Sequence, residues 1–362
     1  MMPNRLERVS QALREHGRDL LLVTPSADLR YLTGYQALPL ERLTCLAIND
    51  SGRSWLIVPQ LELPAAVAAG VAAHGIELMA WHETQDPYAM LAGAVGSAHH
   101  PVVNNTMWVE KAHHLQRALG SPVELANNIL SDIRMVKSEQ EVASLHEAGA
   151  AIDEVHRHMG KWLRPGRTER EVGRDIADAI IAAGHESVDF VIVASGPNGA
   201  SPHHEVSDRI IHAGEPVVVD IGGTMPSGYC SDSTRMYACG AVDQEFAQMY
   251  QVLMRAQAQA VEHARPGVTC ESVDAIAREI LAEANMDEYF IHRTGHGIGM
   301  ETHEEPYIVS GNTRVIEEGH AFSVEPGFYI PGRFGARIED IVTCWNGQVS
   351  SANLTTHELV IL

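Results

Sequence analysis

The chain has 362 residues, of which 45% are hydrophobic and 20% are charged, as in ordinary globular proteins. This length predicts one or two domains with a large core. The formal net charge of −21 argues against nucleic-acid binding and predicts a self-repelling surface. Part of this acidity is expected to face a cation site, where metal ions would offset it.

The cysteines and the N-terminal segment indicate the compartment. The five cysteines form no CxxC pair, so we expect buried free thiols in a reducing cytosol rather than a zinc knuckle or a disulfide framework. The N-terminal segment MMPNRLERVSQALREHG is charged throughout and lacks the apolar core of a signal peptide. The longest apolar run, residues 64–73, is too short to cross a bilayer. We therefore expect a cytoplasmic protein.

Residues 1–127 are predicted to form an α/β domain. Asn4 and Glu7 have the spacing of a capping box at the start of a first helix. The runs DLLLVTP, CLAIND and SWLIVP follow, and short apolar runs bounded by turn residues predict buried strands. Alternation of strands with helices is typical of a compact α/β domain. A junction over residues 122–138 follows, so the second domain is predicted over residues 128–362.

The second domain contains an internal repeat. It opens with Ser138 as an N-cap and Glu141 three residues later, which predicts a helix over about 139–160. The pentapeptide RPGRT, ending at Thr168, is matched by RPGVT, ending at Thr269, and each lies between two amphipathic helices. Both threonines are expected to N-cap the second helix. The repeat is either a coincidence of common turn chemistry or a duplicated half-domain, and we favour duplication with an active site between the halves.

Five side chains of the second domain are candidate metal ligands because of the segments that hold them. Three acids stand in or beside the apolar runs VVVDIGG, FSVEPG and ARIEDIV, where an unpaired carboxylate is costly to bury. Asp220 and Asp232 flank the turn sequence GGTMPSG, and Glu325 and Glu339 flank PGFYIPGRFG. Two hairpins would each bring two acids to one face. The fifth side chain, His296, lies in the glycine-rich segment HRTGHGIG.

Four carboxylates with one imidazole predict a site for two divalent cations, and two adjacent metal ions suggest a hydrolase. A lone aspartate at a strand end is usually a turn former, and a histidine among glycines is usually structural, so the prediction depends on the whole set. The GHGIG run lacks the βα unit and the downstream acid of a dinucleotide loop. An HExxH motif is absent, which excludes a zincin.

Taken in order, the segments YCSDSTR, HRTGHGIGMETHEEP, SVEPG and ARIED resemble the metal-dependent pita-bread peptidases. Within that family they are most similar to the Xaa-Pro peptidases, namely aminopeptidase P and the Xaa-Pro dipeptidases (prolidases). The segment ADLRYLTGY resembles the creatinase-like N-terminal domain of this group, so the resemblance covers essentially the whole chain. It implies an α/β N-terminal creatinase-like domain plus an α+β C-terminal pita-bread catalytic domain with pseudo-twofold duplication.

The resemblance also implies roles for the five candidate ligands. Asp220 would chelate one metal ion alone, and Asp232 and Glu339 would bridge both ions. His296 and Glu325 would bind the other ion. The two divalent ions would be Mn²⁺, Co²⁺ or Zn²⁺, and oxygen-rich ligation favours Mn²⁺. Water activated between the ions would attack the carbonyl that precedes proline.

Further residues match the family's substrate cleft. Three histidines are expected to assist proton movement and oxyanion stabilisation: His203, His292 and His303. Of the adjacent pair, His203 matches the family pattern better than His204. Arg337, in ARIED, is expected to hold a ligand carboxylate from outside the metal site, and Tyr229 is expected to do likewise.

The spacing between the first two acids departs from the family pattern. Asp232 follows Asp220 by 12 residues, where relatives typically have one residue fewer. An enlarged GGTMPSG turn would leave both strands in place, whereas a register slip would turn one acid away from the site. We expect the enlarged turn because the motifs on both sides are intact.

Several related activities remain open at this point. We favour an Xaa-Pro dipeptidase slightly over aminopeptidase P, which would accept longer peptides. Methionine aminopeptidase shares the metal ligands but usually lacks so large an N-terminal domain, and creatinase shares both domains but not the ligands. A non-catalytic binding protein on the same fold would typically have lost ligands, whereas all five are present. The resemblance also implies a homodimer.

Overall fold

The computed structural model describes residues 5–362, so the predicted N-cap Asn4 lies outside the described residues. The chain divides into two compact units between Arg134 and Met135. The sequence-based domain boundary at residues 127/128 stays a prediction. All five cysteines are free and buried, as expected. Within residues 5–362, no helix combines the length and apolar character that crossing a membrane requires.

The first unit contains one six-stranded sheet with helices. Its strands are β1 (Leu20–Val23), β2 (Cys45–Asn49), β3 (Ser54–Pro59), β4 (Glu77–Trp81), β5 (Pro101–Val103) and β6 (Glu124–Leu125). Its helices are α1 (Arg5–Glu15), α2 (Ala27–Thr33), α3 (Leu63–Ala68), α4 (Pro87–Val95), α5 (Val109–Leu119) and α6 (Asn128–Met135). The sheet order is β4-β3-β2-β1-β5-β6. The three predicted strand runs form β1, β2 and β3 and are almost entirely buried, as their apolar composition requires.

The second unit contains four α-helices and eleven strands among the described residues. Its helices are α7 (Glu139–Arg157), α8 (Glu169–Ala182), α9 (Gln244–His263) and α10 (Cys270–Glu283). Its first strands are β7 (Ser187–Ser195), β8 (Pro216–Thr224), β9 (Cys230–Ala238), β10 (Gly295–Gly297), β11 (Glu304–Ile308) and β12 (Ala321–Val324). The remaining strands are β13 (Gly327–Ile330), β14 (Phe334–Arg337), β15 (Asp340–Trp345), β16 (Gln348–Ser351) and β17 (Val360–Ile361). They form sheets of order β17-β9-β8-β7, β11-β10-β12-β15-β16 and β13-β14.

The start of the second unit agrees with the sequence prediction. The Ser138 side chain accepts a hydrogen bond from the backbone N–H of Glu141, and the Glu141 carboxylate accepts one from the backbone N–H of Ser138. This reciprocal capping box satisfies two amide groups that the first turn would otherwise leave unpaired. Helix α7 therefore begins at Glu139, as predicted, and ends at Arg157, a few residues earlier than expected.

The sequence repeat corresponds to a repeated backbone structure. Gly166 N–H donates to Ile211 O at 2.9 Å, and Gly267 N–H donates to Ile316 O at 2.9 Å. The threonine that follows each glycine pairs in an isolated antiparallel bridge with the residue preceding that acceptor. Helices α8 and α10, which start directly after these threonines, both have 14 residues. Matched bonds at matched offsets are not expected from a coincidence of turn chemistry, so the unit is a pseudo-twofold duplication.

The prediction for Thr269 was wrong in one respect. Thr168 accepts a hydrogen bond from the backbone N–H of Glu171, completing a capping box for α8. Thr269 occupies the equivalent N-cap position of α10, but its side chain makes no capping hydrogen bond. The residue at the third helical position is Ser272, whose hydroxyl donates to Thr269 O at 2.7 Å instead. Because a serine there lacks the reach of Glu171, the reciprocal box does not form.

Candidate active site

The pairing of β8 with β9 brings Asp220 and Asp232 to one face. The register runs without a shift along both strands, with Asp220 opposite Thr234 and Gly222 opposite Asp232. Directly opposed residues share a face, and so do residues two apart on one strand. The additional residue between the two acids is therefore accommodated in the turn over residues 225–229, as expected, and not by a register slip.

The second half holds its two carboxylates with hydroxyl groups. Glu325 follows β12, its N–H donates to Thr294 O at 2.8 Å, and its Oε1 accepts from Ser323 Oγ at 3.0 Å. Glu339 N–H donates to Thr234 O at 3.2 Å, and its Oε2 accepts from Thr234 Oγ1 at 2.7 Å. Both contacts of Glu339 are with Thr234 on β9, the strand that carries Asp232. The acids of the two halves therefore converge on one place.

His296 on β10 completes this convergence. Its backbone N–H donates to Ser323 Oγ at 3.0 Å, and its Nδ1 lies 3.1 Å from Gly297 O. A carbonyl oxygen can only accept, so Nδ1 carries the hydrogen and a neutral ring presents a lone pair at Nε2. That Nε2 faces three carboxylate oxygens, on Glu325 at 3.1 Å, Asp232 at 3.7 Å and Glu339 at 4.0 Å. A lone pair aimed at anions is an arrangement that a cation between them would stabilise.

The electrostatics of this cluster fit a pair of divalent cations. Burial, together with the nearby carboxylates, raises the pKa of Asp232 and the pKa of Glu339 well above their usual values. The Oδ1 atom of Asp220 is buried without a hydrogen-bond partner. Two overlapping groups, Asp220–Asp232–Glu339 and His296–Glu325–Glu339, each place their ligand atoms within 4.8 Å of one another. The cluster thus contains buried carboxylates, one with an unpaired oxygen and one, Glu339, common to both groups. Two adjacent hard cations require a donor set of this kind.

Arg337 holds this cluster from the side. Its guanidinium forms a short ion pair with Asp220 Oδ2 and donates from Nε to Thr234 Oγ1 at 3.1 Å. A further hydrogen bond runs from Nη1 to the Tyr329 hydroxyl at 2.8 Å. Since the ion pair leaves Oδ1 of Asp220 unpaired, Arg337 orients this carboxylate while one oxygen stays available to a cation.

His292 is fixed by a chain of hydrogen bonds that starts at Arg337. A guanidinium can only donate, so the Tyr329 oxygen accepts from Arg337 and its hydrogen points to His292 Nε2, 2.8 Å away. His292 Nδ1 lies 2.7 Å from Arg293 O and donates to it. Burial lowers the pKa of His292 and raises the pKa of Tyr329 to about 12, so both groups stay neutral. His292 therefore lines the site with both ring nitrogens already engaged.

A cavity of about 950 Å³ opens above the carboxylates. The five candidate ligands, the three predicted histidines and Arg337 all line it, together with apolar side chains that include Phe190 and Ile192. The His303 ring lies 4.0 Å from the His296 ring, edge to face. His204 also lines the cavity, but its Nε2 is bonded to Glu169 Oε2 at 2.8 Å. Of the adjacent pair, His203 is thus the one without a described carboxylate partner.

One described partner of Tyr229 is a carboxylate of α7, and the predicted role of Tyr229 beside the metal ligands stays a prediction. Its hydroxyl donates to Glu141 Oε1 at 2.7 Å, the carboxylate that caps α7. Tyr329, Thr234 and Ser323 are the hydroxyl residues that contact the cluster or Arg337, and sequence reasoning missed all three. Thr234 and Ser323 each stand two residues from a predicted ligand on a strand, so the two-residue periodicity could have found them. Tyr329 carries no such signal.

Comparison with known proteins agrees with this geometry. The chain matches metallopeptidase family M24 over residues 143–344 and the creatinase/prolidase N-terminal domain over residues 5–136. It is 49% identical to a probable dipeptidase PepE of Mycobacterium tuberculosis, covering 99% of this chain and 96% of that protein. It is 35% identical to an Xaa-Pro dipeptidase of Lactobacillus delbrueckii subsp. lactis, covering 99% and 98%.

Among solved structures, the dipeptidase PepE of Mycobacterium ulcerans superposes with a TM-score of 0.92 at 48% identity, covering 99% of this chain and 96% of that one. The family implies divalent metal cofactors for its members. Family match, whole-length similarity and fold all agree with the resemblance drawn from the motifs. The chain is therefore a hydrolase of metallopeptidase family M24, within its Xaa-Pro dipeptidase and prolidase type.

Proposed function

We propose that this protein hydrolyses the bond between an N-terminal residue and proline in Xaa-Pro dipeptides, using two divalent cations with Mn²⁺ preferred. The observation that carries the proposal is the convergence of four carboxylates and a lone-pair imidazole beneath a cavity lined by three further histidines. The 35% identity to a protein named Xaa-Pro dipeptidase supports proline as the second residue. Oxygen-rich ligation supports Mn²⁺ over softer-ligand metals.

The proposed division of the ligands is the one that the family resemblance implies. Asp220 would hold one cation, Asp232 and Glu339 would be shared, and His296 with Glu325 would hold the other; the ligand atoms of Asp220, Asp232 and Glu339 lie close enough together to hold an ion, and so do those of His296, Glu325 and Glu339. When bound, the cation pair supplies a nucleophilic water at neutral pH and polarises the scissile carbonyl. The chain's contribution is to orient the carboxylates, through Arg337, Thr234 and Ser323.

Cleavage of the peptide bond requires a proton donor near the leaving nitrogen. The proline nitrogen must receive a proton as the C–N bond breaks, as any leaving amine must. We assign this transfer to His203 or His303, because His292 has both ring nitrogens engaged. The other of the two histidines would donate to the developing oxyanion. Phe190 and Ile192 are proposed as part of the apolar wall that faces the proline ring.

A substrate-length series tests the proposal. Protein stripped of metal and reloaded with Mn²⁺, Co²⁺ or Zn²⁺ would be assayed on Xaa-Pro, Xaa-Pro-Yaa and Xaa-Ala peptides of matched first residue. We expect hydrolysis of Xaa-Pro to exceed that of both other classes, most strongly with Mn²⁺. Efficient cleavage of the tripeptide alone would replace the dipeptidase by aminopeptidase P. Absence of metal-stimulated hydrolysis on all three would point to a non-catalytic binding protein.

We further propose that the protein is a cytoplasmic homodimer. The five buried free thiols support a reducing compartment, and the family resemblance supports pairing. Light scattering with in-line chromatography would measure the mass directly. A mass matching one chain of 39.5 kDa would contradict the dimer.

A further inference from the structure

Glu169, the first residue of α8, is a fully buried carboxylate that belongs to no part of the site described so far. Its oxygens accept hydrogen bonds from one segment of the chain, residues 195–207. The donors are Ser195 N and Oγ at 2.8 Å each, Asn198 Nδ2 at 3.0 Å, His204 Nε2 at 2.8 Å and Ser207 Oγ at 2.6 Å. The carboxylate therefore ties together both ends and the middle of this segment.

The charge of Glu169 is maintained by these donors. Burial alone would raise the pKa of Glu169, but the hydrogen bonds from Ser207 and Ser195 bring the pKa below its usual value. The N-terminus of α8 adds a favourable dipole at this position. An ionised carboxylate in a buried place forms stronger hydrogen bonds than a neutral group would. Glu169 therefore holds the 195–207 segment through an ionised carboxylate.

This segment carries two cavity histidines, His203 and His204, but none of the five candidate metal ligands. His203 lines the cavity within it, and Pro202 O accepts from Arg337 Nη1 at 3.4 Å. The backbone of Gly199 lies so close to β14 that a Cβ on Gly335 would stand 2.0 Å from Gly199 O. Glu169 on one side and β14 on the other therefore leave the segment little freedom to move His203.

The second half of the unit has a comparable carboxylate. Asp274, on α10, accepts from Thr294 N at 3.1 Å and from Thr294 Oγ1 at 2.7 Å. Arg278, which is paired with Asp274, donates to His292 O at 2.6 Å. In this half the organised segment includes the candidate ligand His296. Each half thus uses a buried acid on its second helix to fix a histidine segment, but only in the second half does that segment also hold metal.

We propose that Glu169 is a positioning residue that acts on turnover through His203 and does not contribute to metal binding. This proposal rests on the proposed peptidase function. In the first half, the buried acid would position a cavity histidine without also positioning a metal ligand. Loss of the Glu169 charge should displace His203 relative to the substrate while the metal ligands stay in place.

The test compares Glu169→Gln with Glu171→Gln, two carboxamide substitutions in the same turn of α8. Glu171 is exposed, and its carboxylate accepts a hydrogen bond from the backbone N–H of the N-cap Thr168. No described hydrogen bond joins Glu171 to residues 195–207, so its variant controls for lost helix-terminal charge. We expect kcat of Glu169→Gln to fall about 10²-fold, since a misplacement of about 1 Å has that effect. Bound metal should stay at the wild-type stoichiometry, and amide exchange over residues 196–207 should rise. Glu171→Gln should behave as wild type in all three measurements.

A double-mutant cycle with His203→Gln decides whether the effect passes through that histidine. If it does, Glu169→Gln should add little to the loss already caused by His203→Gln. Multiplicative losses, loss of metal in Glu169→Gln, or unchanged amide exchange over the segment would each overturn the proposal. Should Glu169→Gln fail to fold, Ser207→Ala and Asn198→Ala each remove a donor and keep the carboxylate, and the same criteria apply. Absence of Xaa-Pro hydrolysis by the wild-type protein is a separate failure of the proposed function, and amide exchange then decides alone whether Glu169 orders the segment.

Discussion

The two halves of the catalytic unit share a scaffold but deliver their acids in different ways. In the first half, Asp220 and Asp232 project from one continuous hairpin whose register is uninterrupted. In the second half, Glu325 and Glu339 lie just outside β12 and β15, with the separate β13–β14 hairpin between them. Short side chains suffice where regular pairing sets their direction. Where the backbone is irregular, longer side chains are used and hydroxyl groups hold them.

The glutamates and the aspartates of the site are therefore oriented by different contacts. The hydroxyls of Thr234 and Ser323 hold the two glutamates, and the strand register orients the two aspartates. Arg337, from the second half, crosses over to hold Asp220 of the first. Coupling between the halves is therefore concentrated in a few polar contacts.

The largest effect is expected where the halves share a metal. Glu339→Ala and Asp232→Ala should each lower kcat/KM by about 10³-fold or more, because each change removes several kcal/mol of charge stabilisation in the transition state. Bound metal should fall from two ions toward one or none, as measured by elemental analysis of the purified variants. Circular dichroism should show an intact fold, since each alanine also relieves repulsion among buried anions.

Metal removal provides the matching control. Chelation should lower the melting temperature of the wild-type protein, because the buried carboxylates lose their counter-charge. In Glu339→Ala the same treatment should change the melting temperature less. Near-wild-type turnover in Glu339→Ala, or an unchanged melting temperature on chelation, would contradict a shared site.

A smaller effect is expected from the arginine that crosses between the halves. Arg337→Lys keeps a positive charge but cannot reach Asp220, Thr234 and Tyr329 together, so metal affinity should weaken by about 10- to 100-fold. Titration of metal-free protein with Mn²⁺ would measure the change. Arg333→Lys is the matched control, because Arg333 is half exposed in the same hairpin region and pairs with Glu245. Equal effects of the two substitutions would show that Arg337 contributes charge alone.

The sequence predicted those features that depend on local pattern. The buried strands, the capping box at Ser138 and the acids in VVVDIGG and ARIEDIV follow from periodicity and from the cost of burying an unpaired charge. Tyr329 and Glu169 could not be found in this way. Their partners lie far away in sequence, at His292 and at Ser195–Ser207, and become neighbours only after the loops have folded. Tertiary polar contacts of this kind leave no periodic signal.

Acid should lower the stability of the catalytic unit through its buried histidines. Burial lowers the pKa of His156 in α7 to about 3. A histidine with a lowered folded-state pKa contributes stability that is fully present above about pH 6.5 and is lost as the pH falls toward 3. At pH 5 the loss from His156 should be about 2 kcal/mol. Denaturant unfolding at pH 7.5 and pH 5 would measure it.

Variants at two positions sharpen this expectation. His156→Gln retains hydrogen-bonding capacity toward Tyr237 and should reduce the difference in stability between the two pH values. His158→Gln, close by and only partly buried, should leave the difference unchanged. Burial also lowers the pKa of His320 to about 4, so some acid sensitivity should persist in His156→Gln. An identical pH dependence in His156→Gln and the wild type would show that His156 is not the cause.

The smallest effect concerns the two threonines of the repeat. Thr168→Ala removes a side-chain cap and should lower the free energy of unfolding by about 1 kcal/mol. Thr269→Ala removes a hydroxyl that makes no capping bond, so its cost should stay within about 0.5 kcal/mol. Thr168→Ser keeps the oxygen and should recover most of the loss, as measured by urea unfolding. Since the backbone bonds around both threonines are equivalent, a difference between the alanine variants would come from the side-chain cap alone. Equal costs would instead mean that the backbone bridges hold both helices and that the capping box of α8 adds nothing to them.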